Sequence, residues 1–115
     1  MPPQPRALEA NIAKIKAALA ALGDLRPGTL SQQYNVCGNP ACRCKATPPR
    51  KHGPYYQVSF TWHGQSQFVR REDVPGVRTQ LRNYQRLRTL VDRWISVGRE
   101  LSRVRLDEAR ARRAK

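Results

Sequence analysis

Apolar positions along the chain follow three different periods. Leu8, Ile12, Ile15, Leu19 and Leu22 recur at intervals of 4, 3, 4 and 3, a spacing that lines one seam of a helix and asks for a second helix against it. With Pro5 placed for the first turn and Gly23 for the stop, a helix is predicted over residues 6–22. Residues 23–28 (GDLRPG) read as a turn, and residues 29–36 as a weakly alternating strand. Further on, Tyr56, Val58, Phe60 and Trp62 alternate with Tyr55, Gln57, Ser59 and Thr61, so a strand is predicted with the first set facing a core. Gly64 marks a turn, and residues 65–71 return as the second strand of a hairpin.

Two hairpin registers are open. A two-residue connection, His63-Gly64, places Phe68 on the polar face; a three-residue connection, Trp62-His63-Gly64, pairs Thr61 with Gln65 and sets Phe68 opposite Val58 on the apolar face. The second is the expected register. Beyond it, Val77, Leu81, Tyr84, Leu87, Val91, Trp94 and Ile95 fall within one wide stripe at 100° per residue, which predicts a long helix over residues 74–106 with Gly98 as a point of kinking. Residues 107–115 then fray as a basic tail. The length, 115 residues, suits a single domain. The expected fold class is α+β: an N-terminal helix, a small antiparallel β-meander within residues 29–71, and a long C-terminal helix packed on the first as a helical hairpin.

Residues 37–54 hold four of the nine prolines and are too polar and broken for helix or strand. Something other than an apolar core must order them. Cys37, Cys42, Cys44 and His52 give C-x4-C-x-C-x7-H, four ligands of the kind that close a structural zinc site. Cys42 and Cys44, two apart on extended chain, can point to the same side; Gly38 and Pro40 suit the bend before them, and His52 arrives from the following loop. His63 is a reserve fourth ligand. The competing reading is three free cysteines and a loop histidine. A Zn²⁺ staple also supplies what a small meander lacks in core, and three thiolates on Zn²⁺ would leave one negative charge among Arg43, Lys45, Arg50 and Lys51.

Gly28-Thr29-Leu30-Ser31, Tyr34-x-x-Cys37-Gly38-x-Pro40-x-Cys42-Arg43-Cys44 and His52-Gly53-Pro54-Tyr55-Tyr56 resemble a family of small, uncharacterised prokaryotic proteins, a domain of unknown function often associated with mobile genetic elements. The resemblance covers roughly residues 28–97, and its specific portion is the Cys/His set with the His-Gly-Pro-Tyr-Tyr run. It implies that the four ligand positions belong together and favours a DNA-related setting; it implies no enzyme activity. Where the family follows the hairpin with Tyr-Val-Pro, this chain has Phe68-Val69-Arg70 and delays its proline to Pro75.

Charge changes the picture most. Lys and Arg number 22 against 8 Asp and Glu, a formal net charge of +14, so a polyanion is the expected partner. On a helical wheel Arg78, Arg82, Arg86 and Arg93 lie within about 80° of one another, opposite the apolar stripe, and like charges at i,i+4 destabilise a helix until an outside anion neutralises them. A plain solvated face is the alternative. The hairpin adds Tyr55, Gln57, Gln67, Arg70 and Arg71, side chains able to stack on a base or bond to base edges, and Arg43, Lys45, Arg50 and Lys51 complete the expected nucleic-acid-binding set.

The expected function is that of a zinc-stabilised accessory or regulatory protein that binds nucleic acid, DNA ahead of RNA, in a mobile element. The alternative is an interaction module that assembles with itself or with a transposase or recombinase. No enzyme is expected: the acidic residues, Asp24, Asp92 and Glu100 among them, are scattered, and a Cys37 or Cys44 nucleophile with a histidine has no visible orienting group. No apolar run reaches 18 residues and the N-terminus has no signal-peptide core, so a cytoplasmic setting without a membrane partner is expected. Three cysteines within eight residues suit a reducing compartment.

Overall fold

The computed structural model describes residues 4–60 and 65–114. Helix α1 spans Pro5–Ala20, strand β1 Thr29–Asn35, strand β2 His52–Phe60, strand β3 Gln65–Val69 and helix α2 Val74–Arg113. Trp62, His63 and Gly64, to which the sequence assigned a core position, a reserve ligand and a turn, lie outside the described residues. The chain divides into two compact units, one of residues 1–24 with 83–115 and one of Leu25–Arg82. Among the described residues no helix is long and apolar enough to cross a membrane.

In the helical unit, α1 opens with Pro5 in its first turn and buries the predicted seam: Leu8 and Ile15 are buried, Ile12, Leu19 and Leu22 half-buried. Leu8 meets Leu101 and Val104 of α2, with Ile12 and Val97 packed against them. Arg105 bonds to Glu9 and Lys16 lies 5.3 Å from the Trp94 ring centre, so contacts run backward along α2 as they run forward along α1. The two helices form an antiparallel hairpin.

The expected stripe on α2 holds in its first half, where Val77 is buried and Leu81, Tyr84 and Leu87 are half-buried, but not beyond. There Leu90, Leu101 and Val104 are buried and Val97 packs against the last two, whereas Val91, Trp94 and Ile95 are exposed. The reason is the partner: at 100° per residue positions 97, 101 and 104 lie on a different side of α2 from 91 and 95, and it is that side which meets Leu8 and Ile12 of α1. Nor does α2 fray after Leu106: it continues to Arg113, through Ala, Arg and Glu residues of high helix propensity.

The second unit is built on one antiparallel sheet in the order β1-β2-β3. Gly28, at φ +134°, leads the chain into β1; a Cβ there would sit 2.5 Å from the Ser59 carbonyl oxygen, so only glycine makes this approach. Leu30 pairs with Val58 and Gln32 with Tyr56. Val58 is buried and Tyr56 and Phe60 half-buried, as the alternation predicts, and Val74 and Val77 at the start of α2 are the other buried aliphatic side chains among the described residues of this unit.

The hairpin register is not the expected one. Phe60 pairs with Gln65, Val58 with Gln67 and Gln57 with Phe68, so four residues, 61–64, separate the strands instead of three. A slip of one residue moves every side chain of β3 to the other face. Phe68, expected opposite Val58, stands beside Gln57 and is 71% exposed. Leu101→Ala is expected to lower stability by about 2–5 kcal/mol, the range for a buried leucine, and the exposed Ile95→Ala to change it by less than about 0.5 kcal/mol; denaturant melts of both variants check the assignment of the seam.

Candidate metal centre

The ligand set is assembled by the pairing of β1 with β2. At the end of their ladder Asn35 pairs with His52, after a register shift between Gln33 and Asn35. Cys37 follows two residues beyond Asn35, so it is delivered beside His52. The irregularity is accommodated at Gly53, whose φ is +142° and whose Cβ, were there one, would lie 2.8 Å from the Gln33 carbonyl oxygen. His52 therefore opens β2 and does not sit in a loop before it.

Between the strands, the chain turns back through its own hydrogen bonds. The Ala41 N–H donates to Asn39 Oδ1 (3.0 Å), the Cys42 N–H to the Asn39 carbonyl (3.1 Å), and the Lys45 N–H to the Cys42 carbonyl (2.9 Å). Arg43–Lys45 form a 3₁₀ turn whose preceding residue, Cys42, is extended. Cys42 and Cys44 thus converge through a turn, not along extended chain as the spacing suggested.

One ligand atom from each of Cys37, Cys42, Cys44 and His52 lies within 4.8 Å of the other three. Sγ of Cys37 and Sγ of Cys44 are 3.6 Å apart, and Sγ of Cys42 is 3.1 Å from Nε2 of His52. Sulfurs bound tetrahedrally to Zn²⁺ at about 2.3 Å stand about 3.8 Å from one another. The donor set and its closeness fit a closed Cys3His zinc site, and the four residues would hold such an ion with no open position. A metal would supply structural cross-linking there.

Backbone amides already favour thiolates. The Cys44 N–H donates to Cys42, and with the thiols of Cys37 and Cys44 also bonding to it, the Cys42 pKa falls from 9.0 to about 6. Cys44 differs. The Cys37 N–H donates to its sulfur (3.4 Å) and lowers its pKa, but burial and the neighbouring thiols outweigh this and leave it above 9.0. At neutral pH a metal binding here would therefore displace a proton from Cys44, and its affinity would weaken as pH falls because protons compete for the sulfurs.

The other predicted site residues are distributed as follows. Arg43, Lys45, Arg50 and Lys51 are exposed in the ligand-bearing loop. Tyr55 and Gln57 lie on one face of the sheet, where Gln57 accepts from Gln33 Nε2 (2.9 Å), and Arg70, in extended backbone two residues beyond Phe68, continues that face. Gln67 does not join them. The register sets it opposite Val58, on the other face, where it accepts a hydrogen bond from Arg26; Arg71 opens a short 3₁₀ turn. Arg78, Arg82, Arg86 and Arg93 are all exposed on α2 and make no ion pair among the described residues. Arg86 and Arg93 flank the buried seam, about 40° and 60° from Leu90 around the helix, and do not stand opposite it. The sequence missed Phe68 as a surface group, because its position depends on the length of the hairpin connection and not on its own neighbours.

Protein purified under reducing conditions is expected to hold one zinc ion per chain by elemental mass spectrometry. Cys42→Ser should abolish it and disorder residues 37–54 while the helical circular-dichroism signal persists; a metal-free preparation would falsify the assignment. Gly53→Ala, which strains φ and crowds Gln33, should cost more than about 1 kcal/mol and release zinc at lower chelator concentration.

Neither the curated proteins nor the solved structures include a match to this chain. A family described as "Domain of unknown function (DUF6788)" matches residues 5–79, a stretch that takes in α1, the whole sheet and the four clustered ligands. The chain belongs to that family.

Proposed function

We propose that this is a nucleic-acid-binding protein without enzymatic activity, stabilised by zinc, that serves as an accessory or regulatory factor; the sequence resemblance points to a mobile element as its setting. The observation that carries this reading is the state of its positive charge. Arg103 with Glu100 and Arg105 with Glu9 are the ion pairs among the described residues, and both lie in the helical hairpin. Between Asp24 and Glu72 there is no acidic residue at all, against seven Arg and Lys. Charges of one sign with no internal partner repel one another, and phosphates are the common polyanion that relieves them, with release of counterions.

A second reading is favoured by the exposed apolar group Val91, Trp94 and Ile95 on α2: the helical hairpin assembles with a second copy or with a recombinase. Sedimentation of wild type and Ile95→Glu separates the two, since only assembly through this face is lost on adding a charge there.

For the primary reading, the test is a gel shift across a salt series. Each phosphate contact adds about 0.7–0.9 to the slope of log affinity against log salt, so Arg82→Ala with Arg86→Ala should reduce the slope by about 1.4–1.8. Arg112→Ala with Arg113→Ala removes the same charge near the end of α2 and should leave it nearly unchanged. Equal effects from the two pairs would show that total charge, not the α2 row, controls binding.

A further inference from the structure

The register that exposes Phe68 builds a surface that the sequence pattern did not contain. Phe68 pairs with Gln57, and Tyr55, two residues earlier on β2, points to the same side of the sheet, so the two rings occupy diagonal positions within reach of one another. They are 71% and 42% exposed. Both line a hollow of about 230 Å³ together with Asn35, Val36, Cys37 and His52, which makes the ligand-bearing end of the sheet one wall of it. Gln33 and Gln57, bonded to each other at 2.9 Å, floor the same face, and Arg70 continues it. The cations Arg43, Lys45, Arg50 and Lys51 are exposed in the loop that carries Cys42 and Cys44.

We propose that this face is a stacking platform for single-stranded nucleic acid, with Tyr55 and Phe68 each receiving an unpaired base and Arg70 and the loop cations receiving the phosphates between them. The proposal rests on the nucleic-acid reading above and narrows it. A phenyl ring has no hydrogen-bonding group with which to read a groove edge, and in a duplex the π-faces of the bases are occupied by their neighbours. Only an unstacked base offers a flat apolar surface to a ring that stands out into water. The electrostatics select the same occupant over an apolar protein segment, because no carboxylate occurs in the chain from residue 25 to residue 71. Amide groups beside the rings can bond to base edges without demanding one base, so the platform tolerates many sequences.

The experiment measures fluorescence anisotropy of labelled oligothymidine, oligouridine and a duplex of the same length, each across the same salt series, with zinc-loaded protein. Single strands should bind more tightly than duplex. Phe68→Ala and Tyr55→Ala should each weaken single-strand binding roughly 5- to 150-fold, the measured range for one stacked base, with little change in salt slope, and Phe68→Tyr should restore it. The two homopolymers distinguish DNA from RNA as the source of the bases. Because Phe68 is exposed and pairs through its backbone, the alanine variant is expected to fold, which circular dichroism and zinc content verify. Duplex binding that is tighter and indifferent to Phe68→Ala overturns the platform and leaves the nucleic-acid reading standing. If no oligonucleotide binds even at low salt, both readings fall, and if Phe68→Ala instead dissociates a dimer in sedimentation, the face belongs to a second copy and the platform is refuted.

Discussion

The pairing of β1 with β2 is the constraint on which the rest of the sheet unit depends. It joins Asn35 to His52 and thereby closes a Pro-rich stretch that has almost no apolar side chains to bury. Of that stretch only Cys44 is fully buried. Ordering so many backbone bonds without a core is entropically costly, and a metal held by the three sulfurs and one imidazole would offset it. The strand pairing and the Cys/His cluster therefore act together: the ladder brings Cys37 to His52, and a metal held by the cluster would add a cross-link to the local hydrogen bonds of the chain between them.

How much of this could be read from the sequence varies with the range over which each feature is determined. The four ligands were legible because their chemistry is unusual and their spacing local. The alternation of Tyr56, Val58 and Phe60 gave one face of β2, and the spacing of Leu8, Ile12 and Ile15 gave the seam of α1, since both are written in consecutive turns or residues. Two features were not legible, and each depends on a partner. The seam on α2 is selected by what α1 requires, so Leu90, Val97, Leu101 and Val104 displaced the broader set of Val91, Trp94 and Ile95. The register of β3 is selected by the connection before it, and one residue there exchanged Gln67 with Phe68 across the sheet.

That exchange matters for the surface as a whole. A sheet with Phe68 inside would present Gln and Arg side chains suited to hydrogen bonding along a groove. The sheet with Phe68 outside presents rings and amides side by side, and its charge sits at the margins. Meanwhile α2 carries Arg78, Arg82, Arg86 and Arg93 on an exposed face that no acidic residue shares between them, Asp92 lying about 100° from Arg93 around the helix. Under the proposed reading, backbone phosphates would be met by helix and loop and base faces by the strands.

The antiparallel helix pair has a kinetic consequence. Glu9 and Arg105 are 96 positions apart, and Leu8 and Leu101 nearly as far, so α1, made before the strands, does not meet these partners until the second half of α2 has been made. Strands β1, β2 and β3, by contrast, follow one another within about forty residues and have short loops to close. At ordinary rates of synthesis of about 5–20 residues per second, the apolar seam of α1 waits for several seconds in water. The low contact order of the sheet and the high contact order of the helix pair give a folding sequence in which α1, made before the sheet, is packed after it.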